Sequence, residues 1–113
     1  MKTDIKLNGD VTVVRLLEQR LGADVAPHFK ATVGSYVEAG KTKLVLDMSA
    51  LTFMDSSGLG SLVSVLKMIG KRGDMYLAGP QEPIQSLFRL TRMDKVFRSF
   101  STVDEAVAAF ARP

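Results

Sequence analysis

Hydrophobic and polar positions change period several times along this chain, and each change marks an element. Ile5 and Leu7, then Val11 and Val13, alternate around Asn8-Gly9. Alternation at period two with a turn dipeptide between predicts a β-hairpin over 4–8 and 11–17. Val25, Phe29, Val33, Tyr36 and Val37 then recur at helical spacing. Asp24 is the expected N-cap, Pro27 suits the first turn, and Gly40 ends the helix. Leu44-Val45-Leu46 within Lys43 to Met48 is an apolar run suited to a buried strand. Residues 49–55 read as a connection, followed by a helix from about Ser57 to Gly70. Met75 to Ala78 predicts another short strand, and Gly79-Pro80 a turn. Ile84, Leu87 and Phe88 mark a third helix, and Val96 to Phe100 a short last strand. Thr102 with Glu105 forms a capping box ahead of Val103, Ala106, Val107 and Phe110, the apolar stripe of a final helix.

The resulting order is β-β-α-β-α-β-α-β-α. Parallel neighbours need crossover connections, so this order predicts an α/β fold with a mixed sheet. At 113 residues the chain fits one domain, taken as 1–113, and can bury a sizeable core. No internal repeat, linker or low-complexity segment interrupts it.

Composition narrows the chemistry. There is no cysteine, so disulfides, thiolate nucleophiles and cysteine zinc sites are excluded. The lone histidine, His28, cannot build a multi-histidine metal site. No metal or cofactor is expected. Apolar stretches fall short of a membrane span, and the start lacks a secretory pattern, so no membrane association and a cytoplasmic location are expected. The net charge is +3, and the basic excess is local. Between Lys67 and Arg98 lie seven basic residues against three acidic ones. With no tryptophan and only two distant tyrosines, this reads as a solvated face or a site for an acidic protein, with no nucleic acid as partner.

The most informative segment is Phe53-Met54-Asp55-Ser56-Ser57-Gly58-Leu59-Gly60, between a strand and a helix. An aspartate or serine there caps free N–H groups, worth roughly 0.5–2 kcal/mol. Two glycines in the first turn are not required by a cap and each costs up to about 1 kcal/mol relative to alanine. They point to close approach of another backbone. On a helical wheel Leu59, Leu62, Val63 and Leu66 form the expected core stripe. The opposite side carries Ser57, Gly60, Ser61, Ser64, Val65, Met68 and Lys71, small at one end and apolar at the other, and is the expected docking face.

Enzymatic motifs fail at this segment. A nucleophile elbow needs Gly-x-Ser-x-Gly, but Met54 stands where its first glycine belongs. A phosphate loop needs Gly-x-x-x-x-Gly-Lys-Ser/Thr, and Val63 follows Gly58 at the second glycine position. Asp47 and Asp55 could pair around a metal, but local hydrogen bonding of their loops is the simpler role. Phe53 and Phe88 read as core. No enzyme activity is expected. What remains is serine as a phosphate acceptor. A phosphate at a helix N-terminus suits the helix, and its charge and bulk can expel a partner already fitted to that surface.

The run Leu44-Val45-Leu46-Asp47-Met48-Ser49-Ala50-Leu51-Thr52-Phe53-Met54-Asp55-Ser56-Ser57-Gly58-Leu59-Gly60-Ser61-Leu62 resembles the signature of the STAS domain, and more narrowly the bacterial anti-sigma factor antagonists. Met75 to Gly79, the helix with Ile84, Leu87 and Phe88, and Phe97 followed by Thr102 to Ala106 extend the likeness over nearly the whole chain. The resemblance implies a STAS-like mixed sheet of four to five strands, with about four helices mainly on one face. It implies partner switching. The unmodified protein would bind an anti-sigma factor that is also a serine kinase and so free a sigma factor. Phosphorylation would end binding, and a PP2C-type phosphatase would reset the protein. Ser56, directly after the aspartate, would be the acceptor, and Ser57 would not. Asp55 would orient the loop and contact the partner, and Gly58 would permit close approach. The family's Gly-Glu-Leu-Asp-like run after the second strand is replaced here by Glu18-Gln19-Arg20-Leu21-Gly22, which leaves Asp24 as the carboxylate that could stand in. The alternative is a constitutive STAS scaffold or transporter-associated subunit, in which Ser56 is only a cap.

Overall fold

A computed structural model of the chain describes residues 1–111. Its strands are β1 (Thr3–Asn8), β2 (Val11–Leu16), β3 (Arg20–Leu21), β4 (Lys43–Asp47), β5 (Phe53–Met54), β6 (Asp74–Ala78) and β7 (Ser99–Phe100). Its α-helices are α1 (Ala26–Glu38), α2 (Ser56–Ile69), α3 (Glu82–Leu90) and α4 (Val103–Phe110). Five strands form one mixed sheet in the order β1-β2-β4-β6-β7. The hairpin β1–β2 is antiparallel, and every later pair in that sheet is parallel.

Strand alternation explains the two cores. Val14 and Leu16, Leu44 and Leu46, and Met75 and Leu77 share one face. That face is covered by α1, α2 and α3 through Phe29, Val33, Val37, Leu62, Val65, Ile69, Ile84 and Phe88. Crossovers of one hand carry each connecting helix to the same side, so three helices share it. The alternate residues Val11, Val13, Val45, Tyr76 and Ala78 face the other way, onto Ala106 and Ala109 of α4. Phe110 stacks on Tyr76 with ring centroids 4.1 Å apart, which fixes α4 across the sheet. The expected mixed sheet with helices mainly on one face is what forms.

Several local expectations change. The first helix is not capped by Asp24. Val25 holds the N-cap position without a side-chain bond, and the Gly22 carbonyl accepts from the Val25 and Ala26 N–H groups at the helix start. The last strand shrinks to Ser99–Phe100, and Phe97 instead packs into the core beside Phe88, with centroids 5.8 Å apart. Residues 49–55 are not only a connection. Phe53–Met54 pairs in parallel with Arg20–Leu21 as a separate two-strand ribbon. The capping box at Thr102 forms as expected, its side chain accepting from the Glu105 N–H at 3.1 Å. No helix among the described residues is long and apolar enough to cross a membrane.

Candidate functional site

The small ribbon β3–β5 delivers the chain to the N-terminus of α2 and lays residues 20–24 beside it. Asp55 follows β5 in extended conformation and is the N-cap of α2. Its Oδ1 accepts from the Gly58 N–H at 2.9 Å, and its Oδ2 accepts from the Ala23 N–H at 3.0 Å. One carboxylate thus ties two segments 32 positions apart. The Gly58 N–H is the main reason its carboxyl titrates below the usual carboxylate range; desolvation works against this, and the Ala23 and Ser57 N–H groups and the Arg20 charge add to the lowering.

Ser56 and Ser57 occupy the first two positions of α2 and are both exposed. The cap is Asp55, which leaves the Ser56 side chain free of that duty. Gly58 is buried against β3, and a Cβ there would collide with the Leu21 carbonyl oxygen. The backbone that needs this glycine is the chain's own β3, not a visiting one. Gly60 is different. It is exposed, and nothing lies within 4 Å of where its Cβ would be.

The docking face drawn on the helical wheel is therefore corrected. Ser61 is buried and donates its hydroxyl to the Gly58 carbonyl oxygen at 2.6 Å. Val65 is fully buried in the main core. Met68 is half-buried over Gly34 of α1. The physical reason is the position of α1, which covers this flank of α2 while the sheet covers the adjoining one. The open face runs instead through Ser56, Gly60 and Lys67, bordered by half-buried Val63 and Ser64. Of the residues expected to meet a partner, Ser57 and Gly60 are exposed, Asp55, Ser64 and Met68 are half-buried, and Gly58, Ser61 and Val65 are interior.

Sequence reading missed Arg20 and Phe53 at the site's rim, and offered Asp24 there only through the family resemblance. The Arg20 guanidinium lies 4.1 Å from the centroid of Phe53, which is exposed rather than core. The pair makes a cationic and aromatic platform next to Asp55. Asp24 is exposed, and one of its oxygens and one of Asp55 converge on Gly22, each within 3.3 Å of where a Cβ on that glycine would lie. Leu21 is buried, so Asp24 is the carboxylate that this segment brings to the rim. Asp24 was the stand-in that the family resemblance suggested, whereas Arg20 and Phe53 meet through a ribbon whose strands are too short for periodicity to reveal.

Asp47 serves its own neighbourhood. It accepts from the Ser49 N–H at 3.0 Å and faces Arg15 at 3.9 Å. Among the described residues, no group of three potential metal ligands forms. His28 lies exposed on α1.

The exposed serine beside an aspartate cap, with an exposed glycine four positions on, lies within the Asp55-to-Gly60 run on which the family resemblance rested. The family of STAS domains matches residues 2–106. The chain belongs to the STAS domain family. A Thermotoga maritima protein provisionally named an anti-sigma factor antagonist is 29% identical over 105 residues, spanning 91% of this chain and 93% of that one. The anti-sigma-F factor antagonist RsfB of Mycobacterium tuberculosis is 30% identical over 82 residues, 73% of this chain and 67% of that one. A crystal structure of an anti-sigma factor antagonist from Mycobacterium paratuberculosis superimposes with a TM-score of 0.87 at 27% identity, covering 97% of this chain and 93% of that one. In this STAS domain the serine expected to accept phosphate stands at the open mouth of α2.

Proposed function

We propose that this STAS domain is an anti-sigma factor antagonist switched by phosphorylation at Ser56. It acts as a binding module and not as an enzyme. In its unmodified form it binds an anti-sigma factor that is also a serine kinase, and that factor's sigma factor is released. The single observation that carries this reading is the exposed Ser56 on the open face of α2, next to a cap supplied by another residue. Relatives named as anti-sigma factor antagonists support the choice of partner.

The chemistry follows from the position. The Ser56 Oγ attacks the γ-phosphorus of ATP held by the kinase. The Oγ–P bond forms as the bond to ADP breaks, and the kinase takes the hydroxyl proton. The product carries about −1.5 to −2 charges at pH 7. The N-terminal end of α2 favours this anion, so the domain keeps its fold. Asp55 and Asp24 stand close by as like charges, so the new group projects toward the partner's side of the interface. A partner fitted to a flat serine and glycine surface loses contact there. A PP2C-type phosphatase returns the hydroxyl by hydrolysis, with inorganic phosphate leaving.

Incubation with the cognate kinase and ATP, followed by tandem mass spectrometry, tests the site. One phosphate on Ser56 is expected and none on Ser57. Capture from cell extract with unmodified and Ser56→Asp protein then identifies the kinase as the species lost. Phosphate on another residue, or equal capture by both forms, contradicts the switch and favours a constitutive scaffold.

A further inference from the structure

The main sheet ends on one side in β7, two residues long, and on the other in β1, six residues long. β1 carries no proline, and it pairs residue for residue with β2 from Thr3 to Asn8 without a bulge. Ile5 is 40% exposed and Leu7 61% exposed. A long, regular, partly apolar edge is a template for another strand. We propose that β1 pairs antiparallel with β1 of a second copy of this chain, about a two-fold axis through Ile5, so that one sheet runs across both copies. The proposal is independent of Ser56.

The outward hydrogen-bonding groups can be identified. The Leu17 N–H donates to the Lys2 carbonyl at 3.1 Å, which makes these two a bonded pair. Bonded and non-bonded pairs alternate along an antiparallel ladder. Asp4, Lys6 and Asn8 therefore turn their backbone groups toward β2, and Thr3, Ile5 and Leu7 turn theirs outward. With Ile5 opposite Ile5 of the copy, Thr3 falls opposite Leu7 and all three outward residues meet outward residues.

Charge selects the same register. Asp4 then stands opposite Lys6 of the other copy, twice by symmetry, at the non-bonded positions where side chains lie closest. Within one chain neither is spoken for: among the described residues the ion pairs are Arg15–Asp47, Lys43–Asp10 and Arg89–Glu82. A shift to either neighbouring bonded register places Asp4 against Asp4 or Lys6 against Lys6. An interface in which residue i meets j and j meets i is what a two-fold dimer requires. The contact is a single pair of edges, so a weak, concentration-dependent dimer is expected.

Sedimentation velocity on the whole chain from micromolar to millimolar concentration tests this. The native protein should pass from monomer to dimer. Asp4→Lys or Lys6→Glu alone puts like charges opposite and should raise the dissociation constant about tenfold or more. The double swap Asp4→Lys with Lys6→Glu restores opposite charges and should return it to within about threefold of native. Ile5→Pro removes an outward N–H that β2 does not use, so it should abolish the dimer while thermal unfolding stays cooperative and close to native. A native chain that stays monomeric at millimolar concentration overturns the proposal. So does a dimer indifferent to the single swaps and to Ile5→Pro, or one that the double swap fails to restore.

Discussion

Gly58 and Gly60 lie two residues apart in the first turn of α2 and have opposite surroundings. Gly58 is sealed against the Leu21 carbonyl, while Gly60 has open space where a side chain would go. The inner side of this turn is a structural joint between α2 and the β3–β5 ribbon. The outer side is a bare surface beside Ser56. One motif, Asp55-Ser56-Ser57-Gly58-Leu59-Gly60, therefore serves two masters. Its even-spaced glycines cannot be understood by a single role, and the difference separates the sealed side of the helix from its open side.

Substitutions on the two sides should separate stability from binding. The largest expected effect on stability is on the inner side. Gly58→Ala should destabilise the domain by about 3 kcal/mol, because backbone rather than a flexible side chain blocks the new methyl group. Chemical denaturation checks it, and a shift smaller than a few tenths would mean that β3 can retreat at little cost. Ser61→Ala comes next. It removes a buried donor to the Gly58 carbonyl and should cost about 1 kcal/mol. Kinase binding measured by calorimetry should not change, since Ser61 is interior. On the outer side, Gly60→Ala should raise stability by about 0.5–1 kcal/mol through helix propensity, yet weaken kinase binding by filling the bare surface. A gain in stability with unchanged affinity would move the docking face away from Gly60.

Asp55 joins the two sides, and its titration gives the smallest effect. Its carboxyl is held below the usual range chiefly by the Gly58 N–H. A folded pKa below the unfolded one stabilises at pH values above the unfolded pKa, and this is lost as pH falls through the folded value. The advantage of the native protein over Asp55→Asn should therefore be complete at neutral pH and shrink below about pH 4. Denaturation midpoints of both proteins from pH 7 to pH 3, in parallel, check the sign. An advantage that grows in acid would contradict the cap geometry.

The main architecture was legible because its signals are periodic. Ile5, Leu7, Val11 and Val13 announced the hairpin, and Thr102 with Glu105 announced α4. The site was legible only in part. Asp55, Ser56 and Gly60 stood out by residue type and order. The face of α2 did not, because Ser61 and Val65 look like surface or core with equal ease until α1 is placed beside them. Asp24 was suggested only by the family resemblance, and Arg20 and Phe53 were hidden for a different reason. They reach the site through a parallel pairing of Arg20–Leu21 with Phe53–Met54, two residues on each strand and more than thirty positions apart. No local pattern encodes such a contact. The Gly58 constraint was visible as an unexplained glycine, but the approaching backbone could be named only once β3 was seen against it.

The most direct measurement compares the affinity of the anti-sigma kinase for three forms of the chain: unmodified, phosphorylated at Ser56, and Ser56→Ala. Unmodified and Ser56→Ala protein should bind alike, and the phosphorylated form should bind about a thousandfold more weakly, a loss of about 4 kcal/mol. Equal affinity of the phosphorylated form, with one phosphate verified on Ser56, would contradict the account.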